Sequence, residues 1–111
     1  MKDLRIEKLA RNLLNHSIKL QKGDRLLIEI IGTEAVPLGK ELIKQAESIG
    51  AFPFFNIIDY EIMREMLTNC TEEQIQIYAK HDLQRMKDMD AYIGIRASTN
   101  TAELNGISKE K

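Results

Sequence analysis

Apolar positions along the chain change period several times, and each change marks an element. From about Leu4 to Leu20, residues Ile6, Leu9, Ala10, Leu13, Leu14 and Ser17 share one side of a helical wheel. Asp3 stands where a helix N-cap is expected, and Lys22-Gly23-Asp24 forms a terminating turn. Arg25-Leu26-Leu27-Ile28-Glu29-Ile30-Ile31 is almost continuously aliphatic, the pattern of a strand covered on both faces. Gly32 and Thr33 follow as a tight exit, with Thr33 as N-cap of a helix carrying Pro37 in its first turn. Leu38, Leu42, Ile43, Ala46 and Ile49 form that helix's stripe, and Gly50 is its stop.

A second strand is expected over 51–58. Pro53 lacks an amide hydrogen, so it must stand at a strand start or on a sheet edge. A short helix over about Tyr60 to Leu67 precedes Thr71-Glu72-Glu73-Gln74, which has the form of a capping box. The helix it opens carries Ile75, Tyr78, Ala79, Leu83, Met86 and Met89 on one side. Asp82 falls inside that stripe, so the helix must bend or turn its buried face. A third strand is expected over 90–97.

Helices alternating with strands predict right-handed crossovers and a parallel sheet. The aliphatic run places the first strand centrally, and Pro53 places the second on an edge. The predicted fold is therefore a three-layer α/β domain over residues 1–111, with a doubly wound parallel sheet of three strands in the order 2-1-3 flanked by helices. Phe52, Phe54, Phe55 and the methionines are expected in the core. Ser108-Lys109-Glu110-Lys111 has helix-start composition. The third strand would then be left with an exposed edge, which points to self-association and to a piece of something longer.

Composition narrows the function. The 111 residues are 43% hydrophobic and 30% charged, an ordinary globular mixture. With 16 basic against 17 acidic side chains, there is no basic excess for a nucleic-acid backbone. A single cysteine, Cys70, cannot staple a secreted fold, so the expected compartment is cytoplasmic. No signal sequence or membrane-spanning run is present.

The chemistry is sparse. His16 and His81 are the only histidines, neither stands at ligand spacing from another, and His81 lies opposite the stripe of its helix. Both are expected to be ordinary surface or boundary residues. Cys70 precedes a helix start but has no evident base nearby. No catalytic or metal-ligating residue is assigned. In an open α/β sheet, ligands bind beyond the carboxyl ends of the strands at the switch point. That crevice would be lined by Gly32, Thr33, Arg96, Ser98 and Asn100, with Arg96 supplying a donor fork.

Three stretches together resemble the aminopeptidase T family, the thermophilic metallo-aminopeptidases. They are Leu9-Ala10 through Lys22-Gly23-Asp24-Arg25-Leu26-Leu27-Ile28, Gly32-Thr33-Glu34-Ala35-Val36-Pro37-Leu38 with Gly50-Ala51-Phe52-Pro53, and Asp90-Ala91-Tyr92-Ile93-Gly94-Ile95-Arg96-Ala97 with Asn100, Leu104-Asn105-Gly106-Ile107 and Glu110-Lys111. The resemblance covers essentially the whole chain but about the first third of a typical member. It implies a parent that removes N-terminal residues from peptides with two divalent metal ions (zinc, cobalt or magnesium). The metal ligands would lie in a C-terminal domain, so the chain alone is expected to be inactive. The resemblance also implies a role in building a homo-oligomer and shaping access to the active site. The alternative is a free-standing α/β small-ligand-binding or assembly module.

Overall fold

The computed structural model describes residues 3–98 and 101–109, with side chains described as far as Arg96. Helix α1 spans Leu4–Asn12 and is capped by Asp3, whose carboxylate accepts from the Arg5 amide at 2.9 Å. The predicted single helix to Leu20 is not realised. A π turn over Leu13–Ser17 replaces its last part, closed by the Ile18 amide on the Leu13 carbonyl at 3.1 Å. The wider turn buries Leu13, Leu14, Ile18 and Leu20 together and leaves Ser17 exposed.

Strand β1, Arg25–Ile31, is followed by a 3-10 turn over Thr33–Ala35 and helix α2, Val36–Ile49. Thr33 lies inside the 3-10 turn rather than capping α2. Gly32 precedes it with φ 86°, a conformation in which a Cβ would be strained. Gly50 ends α2 at φ 93°, as its position predicts. Strand β2 is Phe52–Ile58, α3 is Tyr60–Thr68, α4 is Glu72–Lys87 and β3 is Ala91–Ser98. Thr71 caps α4 by accepting from the Gln74 amide at 3.1 Å.

Strands β2, β1 and β3 form a parallel sheet in that order, with β1 between its partners. One correction concerns the third strand's edge. Strand β4, Thr101–Lys109, pairs antiparallel with β3, so that edge is covered and Ser108 and Lys109 lie in a strand, not a helix start.

The outer edge of β2 explains Pro53. The Phe52 amide donates to the Asp24 carbonyl and the Ile58 carbonyl accepts from the Gly32 amide, so residues 52, 54, 56 and 58 point their backbone groups at β1. Pro53, Phe55 and Ile57 point theirs outward, and the ladder loses nothing at Pro53.

The core occupies one face of the sheet. Leu26, Ile28, Ile30, Ala91, Ile93 and Ile95 pack there against Ala10, Leu14, Leu38, Leu42 and Ala46 of the α1–α2 layer. Gly39 lets α2 approach β1 closely, since a Cβ there would stand 2.5 Å from Ile30 Cδ1. The opposite face is less filled. No residue of β2, α3 or α4 is fully buried. Phe52, Phe54 and Phe55, expected in the core, are 55%, 43% and 51% exposed, and the described methionines are only partly covered. Strand β2 is the outer strand of the sheet, with a neighbour on one side only, and its side chains are covered less than those of β1.

Candidate functional site

The register places the predicted crevice residues at one end of the sheet. Ile31 pairs with Arg96, so Arg96 stands beside the strand exit that leads to Gly32 and Thr33. The Gly32 amide is engaged by the Ile58 carbonyl at 2.9 Å, and Thr33 is exposed. Ser98 is the last residue of β3, pairing with Thr101, while Asn100 lies outside the described residues.

A second concavity lies under α4. Residues Gln74, Ile77, Tyr78, His81, Asp82 and Arg85 recur at helical spacing and line a cleft of about 490 Å³ with Glu29, Asn56, Ile57 and Ile58 of the sheet. Of the expected stripe of α4, Tyr78 faces the sheet. Its N-terminal part, Ile75 and Ala79, instead faces α3 across an apolar cavity of about 100 Å³ also lined by Met63, Met66 and Leu67. Asp82 is accommodated by this rotation, and His81 comes to line the cleft rather than point away from the sheet. Asp82 inside the stripe was the sequence signal for the rotation.

Glu29 interrupts the aliphatic run of β1 on the cleft face. The Tyr92 hydroxyl, from the neighbouring strand, donates to its Oε1 at 2.5 Å. Burial, then the hydrogen bond to Glu29 and the negative potential of Glu29 and Asp82, hold the Tyr92 phenol well above its ordinary range. On the other wall, Arg85 donates through Nη1 to Asn56 Oδ1 and through Nη2 to the Phe55 carbonyl, the latter at 3.1 Å. These bonds fix α4 to β2 and occupy one outward-facing acceptor of the β2 edge.

Groups that could ligate a metal are dispersed. His16 is exposed on the π turn, and the Cys70 thiol donates to the Leu67 carbonyl at 3.7 Å. Among the described residues, no three of His, Cys, Asp and Glu come together as a metal site.

Comparison with solved structures finds wild-type AmpT from Thermus thermophilus, 32% identical, with a TM-score of 0.48. The match covers 63% of this chain and 18% of that one, so the chain spans less than a fifth of the length of that protein. No curated protein matches the chain. The family model of thermophilic metalloproteases (M29) matches residues 2–111, and the chain belongs to that family.

Proposed function

We propose that residues 1–111 form the N-terminal, noncatalytic domain of a metal-dependent aminopeptidase that removes N-terminal residues from peptides in the cytoplasm. The catalytic centre, with two divalent ions, lies in a C-terminal domain. A dinuclear hydrolase needs carboxylates and imidazoles converging on one point. The donors present here do not fit such a centre: His16 and His81 belong to different faces of the molecule, and no carboxylate cluster accompanies either among the described residues.

The observation that carries the proposal is the distribution of apolar surface. Phe52, Phe54, Phe55, Ile57, Tyr60, Ile62, Leu67, Ile75, Ile77, Tyr78 and Leu83, all within residues 52–83, are each more than 40% exposed. Exposed apolar groups at this density mark a surface that another domain or subunit covers. The domain's role in this reading is architectural: it presents that surface to the catalytic domain and contributes to a homo-oligomer. No helix among the described residues is long and apolar enough to cross a membrane.

A second reading, a free-standing small-ligand-binding or assembly module, is favoured by the open cleft under α4. Sequencing the coding region past codon 111 separates the two. The peptidase reading expects a continuing frame with clustered Glu, His and Asp codons. A stop codon directly after Lys111 in an intact gene contradicts it.

A further inference from the structure

A helix laid on a sheet normally turns its apolar stripe inward, and α4 does so only in part: Tyr78 faces the sheet, while Ile75 and Ala79 turn to α3. Its inward residues also include Asp82 and Arg85, and the sheet opposite carries Glu29, a charged residue inside the aliphatic run of residues 26–31. Departures of this kind from the folding pattern are where functional sites are expected.

The charges are placed but not neutralised. Glu29 accepts from the neutral Tyr92 hydroxyl, and Arg85 donates to two neutral acceptors, the Asn56 side chain and the Phe55 carbonyl. Neither takes part in an ion pair among the described residues. Two of the five Arg85 N–H groups are used, which leaves three as donors, and Glu29 retains Oε2. Between the charges lie the apolar walls of Ile58 and Ile77, Ile58 sharing the Glu29 face of the sheet, in a cleft of about 490 Å³, within the size range of small-molecule sites. Each charged group is held by a supporting hydrogen bond, as a preorganised binding site requires.

We propose that the cleft under α4 binds a small zwitterion, an α-amino acid with an aliphatic side chain. The ammonium group lies against Glu29 and Asp82, the carboxylate takes the free donors of Arg85, and the side chain rests on Ile58 and Ile77. The assignment follows from the cleft's own charges and walls and is independent of the metallopeptidase reading.

Titration calorimetry of the 111-residue chain tests it with three ligands of nearly the same shape: L-leucine, L-leucinamide, which lacks the carboxylate, and 4-methylpentanoate, which lacks the amine. Leucine is expected to bind about ten-fold or more tightly than either analogue, the loss expected for one charge-assisted contact. Glu29→Gln should erase the preference for leucine over 4-methylpentanoate, and Arg85→Gln the preference for leucine over leucinamide. Circular dichroism reports folding. Should Arg85→Gln fail to fold, the ligand series on the parent chain and Glu29→Gln still decides. No leucine binding at millimolar concentration, equal binding of the three ligands, or preferences unchanged in folded variants overturns the proposal.

Discussion

Tyr92 and Glu29 are joined across adjacent strands by a hydrogen bond that sits on the open face of the sheet, directly beneath α4. The phenol is held above its ordinary value of 10.0, first by burial and then by the carboxylate it serves. Because the folded-state value is raised, the stabilisation is fully present below 10.0 and is lost as pH rises through the folded-state value. In a difference titration of tyrosinate absorbance, the step missing from Tyr92→Phe should therefore lie above 10.0 in the folded protein. The same substitution should lower stability by about 1 kcal/mol in denaturant unfolding near neutral pH, since Glu29 can take solvent from the cleft in place of the lost donor. A Tyr92 step at its ordinary value would show that the pair is not formed.

Gly39 brings α2 close against Ile30 of the sheet. A Gly→Ala change inside a helix ordinarily stabilises by about 1 kcal/mol. Here the new Cβ would meet Ile30 Cδ1 at 2.5 Å and Cγ1 at 2.9 Å. Overpacking of this kind costs about 1–3 kcal/mol, so Gly39→Ala should destabilise the protein on balance. Adding Ile30→Val shortens the offending side chain and should recover part of the loss, giving a non-additive cycle. Strict additivity in chemical denaturation would mean the two residues do not touch.

Arg85 also guards the sheet. It occupies the outward Phe55 carbonyl on β2, the same strand whose outward Pro53 lacks a donor. Edge strands are commonly blunted by such devices. Arg85→Ala should free an apolar edge and raise self-association in size exclusion with light scattering, relative to the parent chain at equal concentration. Ile57→Lys added to that background should reverse the gain. No change in mass distribution on removing Arg85 would exclude this role.

The central fold was legible because its signals are local. A seven-residue aliphatic run bounded by Gly23-Asp24 and Gly32-Thr33 fits a covered strand and is too short for a helix, Pro53 can only sit where no ladder donor is needed, and Gly50 stands where α2 must stop. Strand β4 was not legible. Its pairing with β3 shifts between Ile93↔Ile107 and Ile95↔Leu104, so Asn105 and Gly106 stand opposite Gly94. That bulge breaks the two-residue alternation that identifies a strand. The residues named for the crevice, Gly32, Thr33 and Arg96, stand at one end of the sheet, because β1 and β3 run parallel and Ile31 pairs with Arg96. The cleft under α4 was not legible in the sequence because α4 carries two competing faces, and tertiary packing against α3 chose between them. Glu29 within β1 and Asp82 within the apolar stripe were the only marks it left.

The proposal that this domain shapes a metallopeptidase without housing its chemistry stands or falls on hydrolysis. The purified 111-residue chain should release nothing from aminoacyl chromogenic substrates when zinc, cobalt or magnesium is added, since the donor groups among its described residues do not converge. Metal-dependent turnover that persists through purification and disappears on substituting His16 or His81 would contradict it.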